Sequence, residues 1–299
     1  AAAEAVAARS GDLPKPPSEP VDWPLLDSKS FDAQGNRVFS ASYTADDWWI
    51  GEHRTRAGDA LLPGTGYLTL AAHALRAHHE TAPFELSDLS FLRPLRVADQ
   101  GARAVEVRLL RSDDGYGFEV AADVTVNGRH GFATCAEGTL SLLPMPTPEP
   151  IDPDAIRARC GPLREADGAP LVSAQEVHLA FGPRWKVLRT AAFGDGEGIA
   201  ELALGDAAAA DGCLLHPAMM DITTGWAMEL IDGYQATHLW VPVRYASVRV
   251  HRALPDRVVS WVRNAADNRA DRETAVFDVT LCDSEGMVCI EVRGFTIRK

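Results

Sequence analysis

The sequence predicts an α+β fold made of two tandem copies of one unit, each an antiparallel sheet wrapped around a single buried helix. Three observations carry that prediction. A proline cluster (Pro144, Pro146, Pro148, Pro150, Pro153) falls almost at the midpoint of the 299 residues and divides the chain into similar halves. Each half has one helical run that is apolar nearly all round, which implies burial. Each helix is followed by strand-like runs rich in β-branched residues that end in a hairpin.

Taken in order, residues 1–20 are Ala-rich and then Pro-rich, with no periodic apolar face, and read as a linker. A leading linker, with a strand-like segment running up to Lys299, suits a domain cut from a longer polypeptide. The first unit is expected over 21–145, a connecting linker over 146–160, and the second unit over 161–299. In the first, Leu61-Leu62-Pro63-Gly64-Thr65-Gly66 leads into the helical run 67–75. In the second, Leu214-Leu215-His216-Pro217 leads into 218–230.

The first hairpin pairs 118–126 with 132–143 across Asn127-Gly128, and the second pairs 277–281 with 288–297 across 283–286. Pro63 to Phe118 is 55 residues and Pro217 to Phe277 is 60, so the chain reads as a divergent repeat of about 155 residues. One helix covered by one sheet matches the hotdog fold. Two side by side form a double hotdog, whose sheets can join and hide their edge strands.

The charge balance narrows the function. Forty-two acidic residues against 29 basic ones give a net charge of -13, too acidic for a protein that grips nucleic-acid phosphates. The 46% hydrophobic and 24% charged fractions are ordinary globular values. With no apolar run of bilayer length and no signal-peptide pattern, the chain reads as soluble and cytoplasmic, without a membrane partner. The five cysteines are scattered and never in a C-x-x-C pair, so neither a disulfide framework nor a metal site is expected.

Phosphate-loop, nucleophile-elbow and zinc-protease motifs are absent, and the G-x-G at Gly64 and Gly66 lacks the third glycine of a dinucleotide site. Two islands of unusual composition remain, each ending at one of the buried helices. The first, 48–64, sets His53 among aromatics ten residues before the Pro63-Gly64 helix start. A histidine there suits a base near a helix N-terminus, and equally a capping or solvent-facing side chain. The second joins Phe181-Gly182-Pro183-Arg184-Trp185 to 215–221. Asp221 lies among Ala, Met, Ile and Trp, where burial would raise its pKa and suit it as a general acid. The alternative is an aspartate in the helix's first turn, favoured by the dipole. His216 reads as structural. In a two-fold pseudo-dimer the two islands can meet, making His53 and Asp221 one acid/base pair.

Residues 49–70, the Phe-Gly-Pro-Arg-Trp segment and Leu215-His216-Pro217-Ala218-Met219-Met220-Asp221 together resemble the dehydratase domains of modular type I polyketide synthases, a likeness running from about Trp23 to Lys299. The resemblance implies a double-hotdog fold and removal of water from a 3-hydroxyacyl thioester carried on the phosphopantetheine of an acyl carrier protein, with no other cofactor. It makes His53 and Asp221 the catalytic pair. Val241-Pro242-Val243-Arg244-Tyr245 is similar to the family's L-P-x-x-Y motif and brings Tyr245 near the site. There are two departures. The first motif has one extra residue between His53 and Gly58, so a bulged loop is expected. Gly225 stands where the family commonly has a Gln or His that orients the aspartate, so Asp221 needs another support, such as Tyr245 or water.

On this reading neutral His53 takes the α-proton, protonated Asp221 helps the β-hydroxyl leave, and N–H groups near Gly58 and Gly64 stabilise the enolate. Pro63, Phe181, Pro183, Met219 and Trp226 are candidates for the acyl tunnel, although such residues also make plain core. Two other outcomes stay open: a dehydratase that also cyclises the product or moves its double bond, and a catalytically silent scaffold domain. The expected partners are an acyl carrier protein and neighbouring synthase domains, with a homodimer left open. Carrier proteins are themselves acidic, so docking would rest on local arginines or on tethering.

Overall fold

The structure is a computed structural model that describes residues 17–165, 169–209 and 211–299. Most of the expected leading linker, residues 1–16, lies outside the described residues. Its last residues do not: Glu19 and Pro20 already belong to the first strand.

The amino-terminal half runs through β1 (Glu19–Trp23), β2 (Leu26–Phe31), β3 (Arg37–Tyr43), a short helix α1 (Trp48–Gly51), β4 (His53–Thr55), β5 (Ala60–Leu61) and the helix α2 (Gly64–Ala77). It continues with β6 (Phe84–Phe91), β7 (Arg96–Val97), β8 (Arg103–Ser112), β9 (Gly115–Val126) and β10 (Arg129–Ser141). The carboxy-terminal half runs through α3 (Pro153–Arg159), β11 (Arg164–Glu165), β12 (Leu179–Phe181), β13 (Leu188–Phe193), β14 (Glu197–Ala203), α4 (Asp206–Ala209) and α5 (Pro217–Gly225). It ends with β15 (Val241–Val250), β16 (Arg257–Asn264), β17 (Thr274–Cys282) and β18 (Val288–Arg298).

Among the described residues, fourteen strands form one sheet in the order β1-β2-β3-β8-β9-β10-β6-β15-β18-β17-β16-β14-β13-β11. Read outward from the β6–β15 join, both halves repeat one connectivity, seven strands each, with a helix between the third and fourth strand of the half in chain order. This is a double hotdog with a pseudo-two-fold axis at the antiparallel join, where Leu89 opposes Tyr245 and Leu86 opposes Val248. Joining there pairs what would otherwise be two exposed edges.

Both expected hairpins form. At the first turn Asn127 and Gly128 have φ of 51° and 76°, the left-handed pair that a two-residue hairpin loop requires. Helix α2 is buried on almost every side, as its composition demands. Three of its buried residues are polar, however, and fall on one stripe at i, i+4 and i+8: Thr65, Thr69 and His73. Thr65 Oγ1 donates to Pro217 O at 3.0 Å, Thr69 Oγ1 donates to Leu215 O at 2.6 Å, and His73 Nε2 accepts Leu214 N–H at 3.3 Å. The stripe therefore satisfies the backbone that leads into α5, and it bolts the two central helices together.

Two expectations need adjusting. The second helical run stops at Gly225 and not at Leu230: after it, Trp226 turns into the core and Met228–Leu230 forms a separate 3-10 turn. A glycine is among the poorest helix residues, and burying Trp226 and Met228 outweighs another turn. The linker expected over 146–160 also contains α3, capped by Asp152, which accepts Ala155 N–H at 3.0 Å. Ile156 of α3 packs on Ala192, Ile199, Val259 and Cys282.

Candidate active site

A second, four-stranded sheet in the order β12-β4-β5-β7 brings the two islands together. Strand β12 comes from the carboxy-terminal half and pairs antiparallel with β4, placing Phe181 opposite His53. The following turn is fixed by Glu52, which accepts Arg184 N–H at 2.8 Å and the Arg184 guanidinium at 2.7 Å, while its carbonyl accepts Gly182 N–H at 2.8 Å. A Cβ on Gly182 would stand 2.4 Å from Glu52 Cγ, so only glycine lets the carboxylate nest there. The Phe-Gly-Pro-Arg-Trp segment is thus a clamp on the histidine strand.

His53 is buried against both Phe181 and Trp185, with ring centroids 5.6 Å and 5.7 Å away. Its Nδ1 lies 3.1 Å from Leu61 O. A carbonyl only accepts, so Nδ1 carries a proton, and in the neutral ring the lone pair is then on Nε2. Nε2 lies 3.7 Å from Asp221 Oδ2, and the same oxygen accepts the Trp185 indole N–H at 2.9 Å. Burial pushes the Asp221 carboxyl above the usual carboxylate range, partly offset by His53 and by the Trp185 N–H. Asp221 sits beyond the first turn of α5, so helix-start stabilisation does not account for it.

The pair opens on a cavity of about 360 Å³. One wall includes Leu61, Leu62, Pro63, Gly64 and Phe91; the other includes Gln175, Thr224, Gly225, Trp240, Pro242 and Tyr245. Most of the lining is apolar, which suits an acyl chain. Helix α2 starts at this wall, at Gly64, with no side-chain cap. An ideal Cβ at Gly64 would come 2.8 Å from Pro242 Cγ. Tyr245 is buried between Phe91 and Phe295, its hydroxyl beside Thr224 and Asp221. Burial holds that phenol well above its ordinary pKa, so it keeps its proton.

Of the residues singled out from the sequence, His53, Asp221, Pro63, Gly64 and Tyr245 meet at this cavity. Gly58 does not line it. The extra residue of the first motif is absorbed in the exposed turn between β4 and β5, where Gly58 takes φ +99° and gives its N–H to Thr55 O at 2.9 Å. Its N–H is therefore spent on the turn. Pro183 belongs to the clamp and stands off the cavity lining. Trp226 and Met219 are core: Trp226 donates to Ser260 Oγ at 3.1 Å, and Met219 is fully buried. Phe181 stacks on His53 and is not part of the lining. His216 caps α5, stacked on Trp48 at 4.9 Å with its Nε2 3.3 Å from Asp211. Trp185 and Gln175 were missed. The Trp185 contact depends on where the clamp docks, and Gln175 comes from a short 3-10 turn, Ala174–Val177, with no motif around it.

Comparison with known proteins identifies the family. Residues 23–123 match the family model described as polyketide synthase dehydratase domain, and residues 155–299 the one described as polyketide synthase dehydratase N-terminal domain. The chain belongs to the polyketide synthase dehydratase domains. This dehydratase-family chain is 30% identical over 285 residues to polyketide synthase ThaG of Burkholderia thailandensis, covering 92% of the chain and 5% of that protein. It is 21% identical over 290 residues to polyketide synthase PksM of Bacillus subtilis, covering 92% of the chain and 7% of that protein. The domain thus spans only a small part of the length of these relatives. Its fold matches a trans-AT polyketide synthase dehydratase domain from Brevibacillus brevis with a TM-score of 0.79 at 20% identity, covering 94% of this chain and 99% of that one. The dehydratase domain from the CurJ module of curacin polyketide synthase matches with a TM-score of 0.79 at 19% identity, covering 92% and 96%. Among the described residues, no helix of the dehydratase domain is long and apolar enough to cross a membrane.

Proposed function

We propose that the domain removes water from a 3-hydroxyacyl thioester carried on an acyl carrier protein, giving the α,β-unsaturated thioester. The observation that carries this reading is the pairing itself: His53, its Nδ1 tied to Leu61 O, sets Nε2 3.7 Å from a carboxyl whose pKa is raised by burial, both at one cavity. An imidazole as base and a carboxyl kept protonated by burial as acid divide the work.

In this mechanism His53 Nε2 takes the proton from the α-carbon. The C–H electrons become the new double bond, and the β C–O bond breaks. Asp221 supplies a proton to the departing oxygen, so water leaves. The pair then holds imidazolium and carboxylate, and one proton transfer between them resets the site. As enolate character grows on the thioester oxygen, the backbone N–H of Gly64, which lines the cavity at the uncapped start of α2, is the candidate donor. The protonated Tyr245 hydroxyl adds a donor beside Asp221. Phosphopantetheine brings the substrate in, and the chemistry itself calls on no other cofactor. The relatives' length supports further synthase domains as neighbours.

The test is mass spectrometry of a 3-hydroxyacyl carrier-protein thioester after incubation with the domain. Loss of one water is expected, and no loss with either hydroxyl configuration overturns the reading. A substrate with a distal hydroxyl separates simple dehydration from cyclisation, which changes retention without a further change of mass.

A further inference from the structure

Asp221 is held from outside its own helix. The indole N–H that reaches its Oδ2 at 2.9 Å belongs to Trp185, on the 3-10 turn Pro183–Trp185. One helical turn beyond Asp221, where a glutamine would reach back to the carboxyl at i, i+4 spacing, the chain has Gly225. That room is already taken. A Cβ at Gly225 would stand 2.6 Å from Gln175 Nε2, and the Gln175 amide donates to Gly225 O at 3.4 Å.

We propose that Trp185 is the positioning residue for the acid of the site, its indole N–H fixing the Asp221 carboxyl through Oδ2 and leaving Oδ1 to face substrate, while Gln175 fills the space of the missing side chain at position 225. This rests on the reading of Asp221 as the acid. Trp185 suits the role because it is immobile: 1% exposed, with Trp48 and Phe181 each 6.1 Å away between ring centroids. A donor on so rigid a wall keeps the carboxyl in one orientation. The Oδ2 it holds is also the oxygen nearest His53 Nε2, so one oxygen is committed to the wall and the base. The N–H bond also favours the ionised form, which tempers burial and lets the acid release its proton.

Trp185→Phe removes the donor and keeps a ring. The Asp221 carboxyl, followed by carbon-13 NMR, is expected to titrate at higher pH than in the native domain. On a 3-hydroxyacyl thioester, kcat is expected to fall about tenfold with KM little changed, the scale of a hydrogen bond to a charged group. Adding Gln175→Ala and Gly225→Gln to that variant supplies a donor from α5 and is expected to recover both quantities. Trp48→Phe disturbs the same aromatic cluster without touching Asp221 and serves as the packing control. An Asp221 titration that is unchanged in Trp185→Phe, or that moves equally in Trp48→Phe, overturns the proposal. A measurement on the native domain covers a variant that does not fold: the Trp185 indole N–H resonance should shift with the midpoint of Asp221, and a pH-independent resonance overturns the proposal. The NMR readings need no turnover, so they stand apart from a failure of the dehydration reading.

Discussion

His53 Nε2 and Asp221 Oδ2 approach to 3.7 Å, although one side chain is carried by a strand of the first hotdog and the other by the central helix of the second. Their meeting depends on the pairing of β12 with β4 and on the Glu52 to Arg184 contacts that hold the clamp. A shared site has consequences for each half.

His53→Ala removes the proposed base and should keep the fold. Water loss measured by mass spectrometry should slow by about 100-fold or more, the usual worth of a positioned general base. A variant with native turnover would remove His53 from the mechanism.

Asp221→Asn should separate activity from stability. The native carboxyl has a folded pKa above its unfolded one, because burial disfavours the charge. Below the unfolded pKa both states are protonated and nothing is lost. As pH rises toward the folded pKa, the unfolded chain ionises first and native stability falls. Asparagine does not titrate, so Asp221→Asn is expected to be inactive yet more resistant to urea at neutral pH, with the gain fading below the usual carboxylate range. Urea midpoints across pH test this.

His73 gives a second pH dependence of opposite sense. Burial lowers its pKa from 6.5 to about 4, and it is neutral in the fold, bonded to Pro24 O at 2.7 Å. The unfolded chain therefore takes up the proton first as pH falls from about 6.5 to about 4, at a cost of about 3 kcal/mol of stability. Native stability should drop through that window, and His73→Gln, weaker at neutral pH, should flatten the drop. Parallel curves for the two proteins would contradict the assignment.

Gly64→Ala places a methyl group 2.8 Å from the ring of Pro242, a rigid neighbour at the cavity wall. The start of α2 must shift away, so turnover should fall and stability should drop by about 1–3 kcal/mol, as for overpacking. Chemical denaturation together with kcat on a hydroxyacyl thioester checks both.

Trp226→Phe, in contrast, acts only through the core. It removes the donor to Ser260 Oγ and some buried volume, and a loss of about 1–3 kcal/mol is expected with KM unchanged. A change in KM without loss of stability would return Trp226 to the substrate tunnel.

The sequence alone determined the repeat, the two buried helices and both hairpins, and it singled out His53 and Asp221, which the fold brings to 3.7 Å. Local composition writes those features: apolar periodicity, the Asn127-Gly128 turn, and a carboxylate set in an apolar run. Gly58 and Trp226 stand in suggestive stretches of sequence, but their roles hang on where an N–H points and which side of a helix end meets the core. Only the tertiary structure decided those, along with the polar stripe that bolts α2 to the approach of α5. The same holds for Trp185 and Gln175, which reach Asp221 and Gly225 from segments far away in the chain. Spacing along the chain says which residues share a face of one element. It carries no information on which atoms face each other once two elements from different halves have docked.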